Sequence, residues 1–163
     1  AVEAGLQASG LSHVVLRPNA WMQVALGRIV AELRSGDVIR SAYADAAVSF
    51  IDARDIADVA VEALLNLRRV QQRQRSHPGP WVLTGPRAVD WEEIAAQASR
   101  GRAQAVRVEP AVPGAPDPYT AQVHGQFARL IRTGRASAVT DTVQAVLGRP
   151  ARHVRDSLRE QLG

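Results

Sequence analysis

The polar cluster Asp52, Arg54 and Asp55 stands at the start of the strongest helical pattern in this 163-residue chain. Two carboxylates and a guanidinium could form a catalytic set. Capping is the favoured interpretation, because an aspartate at the N-cap accepts hydrogen bonds from free amides and a first-turn carboxylate favours the helix dipole. Arg54 can pair with either carboxylate. We therefore expect a structural role here, with catalysis as the less favoured alternative.

Histidine is the other residue type that could carry acid–base or metal chemistry. The four histidines, His13, His77, His124 and His153, are widely separated and no pair has metal-binding spacing. We expect no metal site. His124 is a weak candidate for a general acid, and a surface or packing role is the favoured interpretation.

All 20 basic residues are arginine, and the chain has no lysine and no cysteine. These absences exclude a Schiff-base enzyme, a phosphate loop ending in Gly-Lys and a Tyr-x-x-x-Lys proton relay at Tyr43 or Tyr119. They also exclude thiolate nucleophiles, disulfides and cysteine-based metal sites.

Arginines concentrate in the run 68–75 and near the C-terminus at Arg149, Arg152, Arg155 and Arg159. Both stretches lack aromatic residues, whereas nucleic-acid modules usually combine basic and stacking side chains. The net charge is only +4. We therefore expect residues 68–79 to be a solvated loop and expect no nucleic-acid partner.

Hydrophobic residues make up 46% of the chain, but no apolar run approaches the length of a membrane-spanning helix. Residues 1–10 do not have the basic start and apolar run of a signal peptide. A cytoplasmic protein with no membrane contact is therefore expected.

Short apolar runs alternate with helical patterns along the chain, which predicts an α/β protein. The expected strands are 13–16, 48–51, 81–84 and 105–108. Helices are expected over 1–10, 20–35, 52–67, 90–99, 119–131, 141–147 and 152–162. The proline-rich stretch 110–118 is expected to be an extended loop.

Five short motifs occur in a recognisable order: QASGL at 7–11, LRPNAWM at 16–22, VSFIDARDIA at 48–57, LTGP at 83–86 and LGRP at 147–150. Together they resemble the NmrA-like branch of the atypical short-chain dehydrogenases. The resemblance covers essentially the whole chain and corresponds to the second half of that family.

The resemblance implies the C-terminal part of a Rossmann-type doubly wound parallel sheet with a small α/β substrate lobe. It implies that Pro18, Asn19 and Ala20 line an NAD or NADP cofactor, and that Trp21 and Met22 line the substrate pocket. The alternative is that Pro18 only ends a strand while Trp21 and Met22 belong to a helix core. No catalytic residue is assigned.

The family's glycine-rich phosphate-binding turn has no counterpart, because neither G-x-G-x-x-G nor a close variant occurs in the 163 residues. We therefore expect residues 1–163 to be a single partial domain without the cofactor-binding glycine unit. The strands that flank and separate 14–16 and 81–84 would also be missing, and the chain alone would bind no dinucleotide. The alternative is a complete small domain that resembles the family only locally.

The function implied by the resemblance is NAD(P)-dependent hydride transfer to a small quinone, enone or carbonyl substrate. The alternative is a non-catalytic NAD(P)-sensing regulator that binds a protein partner. A free-standing basic binding module ranks last, since it requires steeply salt-dependent binding of nucleic acid.

Overall fold

The computed structural model describes residues 2–43, 45–76, 78–111 and 117–162. The helices are α1 Val2–Ala8, α2 Met22–Ser35, α3 Ala53–Leu65, α4 Leu67–Ser76, α5 Trp91–Arg102, α6 Pro118–Arg132, α7 Thr142–Leu147 and α8 Val154–Leu162. The strands are β1 Leu16–Pro18, β2 Val38–Ser41, β3 Trp81–Leu83 and β4 Arg107–Pro110, and Arg135–Ser137 form a short 3-10 turn. No helix in these ranges is long and apolar enough to cross a membrane.

The strands form two parallel pairs. β1 lies beside β3 with Pro18 opposite Leu83, and β2 lies beside β4 with Val38 opposite Arg107. Parallel neighbours need a crossover connection, and each of these pairs is separated in sequence by helices. This arrangement confirms the α/β fold class.

The direct pairing of β1 with β3 corrects one expectation. The expectation was that a strand missing from this chain would lie between the segments 14–16 and 81–84. The structure leaves no place for such a strand, because Leu16 pairs directly with Trp81. The backbone N–H of Trp81 also donates to Val15 O at 2.8 Å. Sequence order cannot reveal such a neighbour, since the pairing joins segments more than sixty residues apart.

Two apolar clusters form the core. The larger cluster lies between α2, α5 and α8 and includes Met22, Leu26 and Ile94, which are at most 1% exposed. The smaller cluster surrounds β3 and includes Val59 of α3 and Val143 of α7. Ile29 and Leu33 of α2 lie in the larger cluster, as the spacing of apolar residues predicts. Val24, which the same pattern places on the apolar face, is 72% exposed, and Met22, Leu26 and Val30 complete the buried face.

The arginine-rich segment after α3 is a helix, and the prediction of a solvated loop is wrong. Arginine and glutamine are good helix formers, and no proline occurs between residues 67 and 77. An ion pair of 2.9 Å between Arg69 and Glu62 links α4 to α3, and the Arg73 guanidinium lies 5.5 Å from the centre of the Trp81 ring. These tertiary contacts hold the polar segment in place.

The segment 48–51 is not a regular strand. It makes two isolated bridges instead, with Ile51 parallel to Trp21 and Val48 antiparallel to Val89. Because its two ends pair with different segments, no continuous ladder forms. β2 was not predicted from the sequence, since only two apolar residues mark it.

Several other helix and strand boundaries differ by a few residues between the prediction and the structure. β1 and β4 begin later than the predicted strands 13–16 and 105–108, and α5 continues beyond the predicted end at residue 99. Within the predicted loop 110–118, residues 112–116 lie outside the described residues and Pro118 begins α6.

Candidate functional site

The carboxyl ends of β1 and β3 meet at one edge, because the two strands are parallel and end opposite each other at Pro18 and Leu83. Asn19 continues the contact, and its backbone N–H donates to Leu83 O at 2.9 Å. Ligands of open α/β sheets bind outside the carboxyl ends of strands. We call the segments 18–22 and 84–86 the carboxyl edge.

Asn19 connects three segments at this edge. Its side-chain Nδ2 donates hydrogen bonds to Ser49 Oγ at 2.7 Å and to Ala136 O at 2.8 Å, and it lies 3.1 Å from Ser49 O. The buried Ser49 hydroxyl in turn donates to Ala138 O at 2.6 Å. The Asn19 amide N–H groups are therefore committed to holding the segment 48–51 and the 3-10 turn beside β1.

The backbone of Ile51 lies between Ala20 and Met22. Ile51 N donates to Ala20 O at 2.8 Å, and Met22 N donates to Ile51 O at 2.9 Å. These bonds fix Trp21, whose side chain is 46% exposed at the start of α2. An indole ring that is half exposed on a fixed backbone can stack on a planar ligand.

Met22 is placed differently, because its side chain is fully buried in the larger core cluster. Its sulfur lies 3.5 Å from the Ser157 hydroxyl of α8. Pro18, Asn19 and Ala20 are half-buried at the edge beside Trp21. The structure thus brings four of the five predicted site residues to one surface, with Met22 packed beneath them.

Gly85 sits where the chain leaves β3. A Cβ atom at this position would lie 2.1 Å from Phe50 O, so only glycine allows the two backbones to approach this closely. The preceding Thr84 hydroxyl accepts a hydrogen bond of 2.9 Å from Thr140 N. Thr84 and Thr140 were not predicted as parts of the edge. The motif at 83–86 contains Thr84, but none of the motifs contains Thr140.

The prediction that Asp52 caps α3 is confirmed. Its buried carboxylate accepts hydrogen bonds from Arg54 N at 2.8 Å and Gln23 Nε2 at 3.0 Å, and lies 2.8 Å from the Ser157 hydroxyl. An ion pair with Arg54 measures 2.7 Å. Burial raises the pKa of Asp52, but the hydrogen bonds from Arg54, Ser157 and Gln23 outweigh it and hold the pKa well below its usual range. Asp52 therefore stays ionised.

Asp55 is also fully buried, but it does not cap its own helix. Its carboxylate accepts the backbone N–H of Arg152 at 2.7 Å and pairs with the side chains of Arg149 and Arg152. We call Asp55, Asp58, Arg149 and Arg152 the arginine clamp, since Asp58 contacts the same two guanidiniums. The clamp ties α3 to the segment before α8, and Arg149 and Arg152 are engaged in it.

The structure describes the side chains of only some of the histidines. His13 Nδ1 lies 2.8 Å from Leu11 O, His77 lies outside the described residues, and the side chain of His124 is likewise not described. Among the residues that the structure describes, no three histidine, aspartate or glutamate side chains are grouped to hold a metal ion.

No protein-family model matches the chain. Two reductases are similar in sequence. A (4-alkanoyl-5-oxo-2,5-dihydrofuran-3-yl)methyl phosphate reductase from Streptomyces griseus is 34% identical over 163 residues, covering 94% of this chain and 55% of the reductase. An NAD(P)H azoreductase from Xenophilus azovorans is 31% identical over 156 residues, covering 90% of this chain and 52% of the azoreductase. The chain spans about half the length of the curated relatives it matches.

Solved structures share the fold. An NADPH-dependent quinone oxidoreductase from Escherichia coli superimposes with a TM-score of 0.76 and 18% identity, covering 99% of this chain and 59% of the oxidoreductase. A nucleoside-diphosphate-sugar epimerase from Staphylococcus aureus gives a TM-score of 0.76 and 16% identity, covering 96% of this chain and 55% of the epimerase. The chain has a Rossmann-like fold. At these identities the likeness concerns the fold alone, which supports several activities.

Proposed function

We propose that this chain is part of an NAD(P)H-dependent reductase of the NmrA-like type that acts on a small molecule. The observation that carries the proposal is the carboxyl edge, where Pro18 ends β1 and three half-buried or exposed residues follow it on a firmly bonded backbone. The sequence similarity to two reductases supports it. A dinucleotide at the carboxyl ends of parallel strands is also the general arrangement for this fold.

In this proposal Pro18, Asn19 and Ala20 contact the nicotinamide end of the cofactor. The Asn19 side-chain N–H groups already bond to Ser49 and Ala136, and its backbone N–H bonds to Leu83 O, so these donors do not contact the cofactor. Trp21 offers its exposed ring to the substrate. Met22 supports this segment from the core, and its assignment to the substrate pocket stays a prediction.

These residues fit only one end of a dinucleotide. A pyrophosphate is normally held by a glycine-rich turn at a helix N-terminus, and no such motif occurs in the 163 residues. We therefore propose that the chain is a partial domain and that cofactor binding needs a glycine-rich unit from outside these residues. The chain spans about half the length of the two reductases that it matches, which supports this interpretation.

The bound cofactor would supply a hydride to an electron-poor double bond. The relatives' names give a furanone ester and azo compounds as substrates, and a fold neighbour is named for quinones. All three are conjugated acceptors, so we propose this substrate class. A Tyr-x-x-x-Lys relay is impossible without lysine, so this chain contributes by positioning the substrate rather than by that proton transfer.

The test is an assay of the naturally encoded protein that contains this chain, with NADPH and NADH as donors and a quinone, an enone and an azo dye as acceptors. Trp21→Ala should raise the KM for the acceptor about five-fold, since a stacked aromatic contributes about 1 kcal/mol. Val24→Ala, which removes an exposed apolar side chain one turn along α2, is the matched control and should leave KM unchanged.

Each outcome has a distinct meaning. Tight cofactor binding without turnover of any acceptor would favour the regulatory alternative, in which a protein partner replaces the substrate. Absence of NADPH and NADH binding by the naturally encoded protein would overturn the proposal.

A further inference from the structure

A groove of about 630 Å³ runs between α5 and α8. None of its lining residues belongs to the carboxyl edge, although Arg87 directly follows that edge in the sequence. Four arginines line it: Arg87 before α5, Arg100 on α5, and Arg155 and Arg159 on α8. Arg155 and Arg159 are four residues apart, so they lie on the same side of α8. We call this cavity the arginine groove.

The charges in the arginine groove are unbalanced. Glu93 is the carboxylate that lines it, and Arg87 already binds Glu93 through two N–H groups, one of them at 2.7 Å. Arg155 forms an ion pair with the neighbouring Asp156, with 3.4 Å between Arg155 Nε and Asp156 Oδ1. Within the described part of the chain, Arg100 and Arg159 make no ion pair. Two guanidinium groups therefore face the groove without a counter-charge.

Gln97 provides a second, independent observation. Its Nε2 donates to Glu93 Oε1 at 3.0 Å, which fixes the orientation of the amide, since the opposite orientation would place its oxygen against a carboxylate. Its Oε1 is buried and has no partner among the described residues. A buried amide oxygen without a donor is costly. A ligand that completes this site therefore carries a hydrogen-bond donor as well as negative charge.

Apolar surface lies beside the charges. Leu158, which is 2% exposed, and the half-buried Leu162 both line the groove. No aromatic side chain is among its described lining residues, so it lacks the stacking surface of a nucleic-acid site. The volume lies within the range of small-molecule sites.

We infer that the arginine groove binds a phosphorylated small molecule that carries a hydroxyl group. A phosphate has enough acceptor oxygens for several guanidinium groups at once, and arginine matches its geometry. The hydroxyl donates to Gln97 Oε1, and the carbon skeleton contacts Leu158. An acidic peptide supplies the negative charge too, but it extends beyond a cavity of this size. This site is independent of the proposed reductase function.

The experiment is calorimetric titration of the naturally encoded protein that contains this chain with glycerol 3-phosphate at low salt. Binding should be saturable with one site, and glycerol at the same concentration should produce no heat of binding. Arg159→Gln and Arg100→Gln should each weaken binding about ten-fold, as expected for loss of a hydrogen bond to a charged group. Arg34→Gln, an exposed arginine at the end of α2, removes the same charge elsewhere and should change affinity less than two-fold.

Gln97→Leu separates the role of the hydroxyl from that of charge. The wild-type chain should bind glycerol 3-phosphate more tightly than inorganic phosphate, and the substitution should remove that preference while phosphate binding remains. Equal losses in Arg159→Gln and Arg34→Gln would show a general charge effect and overturn the inference. Tighter binding of a hexaglutamate peptide than of glycerol 3-phosphate would also overturn the inference.

Discussion

The half of the molecule around β2 and β4 is more completely covered than the half around β1 and β3. In the first half α2, α5 and α8 enclose the larger core cluster. In the second half, Leu64 and Leu65 of α3 and Leu11 before β1 are 67–77% exposed. Both halves contain one short parallel strand pair, so the sheets themselves do not account for this difference.

The difference shows which elements have packing partners within this chain. α3 carries an apolar stripe, but only part of it faces the smaller cluster. A cavity of about 660 Å³ lies between α3, α4 and the segment before β1, and its lining includes Leu16 and Leu64. The β1–β3 half therefore depends more on a few specific polar contacts, among them the ion pairs of the fully buried Asp55 in the arginine clamp.

Loss of the arginine clamp should be the most destabilising change. Asp55→Asn leaves Arg149 and Arg152 without their buried counter-charge, and breaking a buried ion pair costs about 3–4 kcal/mol of unfolding free energy. Asp58→Asn is the matched control, because Asp58 contacts the same guanidiniums but is 46% exposed. Asp58→Asn should lower the free energy of unfolding by less than about 1 kcal/mol. Equal losses in urea unfolding would show that burial is not what makes Asp55 important.

A pair of leucine substitutions tests the two halves directly. Leu26→Ala opens a cavity in the larger cluster and should cost about 3 kcal/mol, whereas Leu64→Ala at a 77% exposed position should change stability by less than about 0.5 kcal/mol. Urea unfolding measures both. A large cost for Leu64→Ala would mean that the outer face of α3 is covered in solution, and the contrast between the halves would disappear.

Gly85 lies where the two halves meet, since the chain leaving β3 crosses Phe50 of the larger cluster. Gly85→Ala forces the two backbones apart and should cost about 2 kcal/mol. Gly27→Ala is the control, because a Cβ there meets nothing within 4 Å and alanine favours helix. Thermal unfolding should therefore show a lower midpoint for Gly85→Ala and an equal or higher midpoint for Gly27→Ala.

Features set by neighbouring residues were predictable from the sequence. Asp52 caps α3, and Asp90 caps α5 by accepting the Glu93 N–H at 2.7 Å, as their positions before apolar helical patterns indicate. The helix α2 and the burial of Ile29 and Leu33 followed from its apolar spacing, but Val24 of the expected apolar face is exposed. The motif at 16–22 led to four residues that the fold brings to one edge.

Features set by distant residues were not predictable. The ladder between β1 and β3 and the ion pairs of Asp55 join segments far apart in sequence, and no local pattern encodes which partner is chosen. α4 was missed for a related reason. Its polar composition indicates solvent exposure, but the contact of Arg73 with Trp81 depends on the tertiary fold.

The smallest expected effect concerns pH and the contact between α3 and α8. Asp52 bonds to Ser157 of α8, and its pKa is lowered in the folded chain, so the ionised form is favoured by folding. Its contribution is present above the unfolded pKa of about 4 and is lost as pH falls below that value. The pKa of Asp58 is also lowered, because Arg152 and Arg149 outweigh its burial, and it acts in the same direction.

Urea unfolding between pH 6 and pH 3 should therefore show falling stability in the wild-type chain and a shallower fall in Asp52→Asn. The variant is less stable at pH 6, because the amide cannot pair with Arg54, and the two curves should converge towards acid pH. Parallel curves would show that Asp52 titrates equally in both states. The contact between the two halves of the molecule would then depend on packing around Gly85 and Met22 rather than on charge.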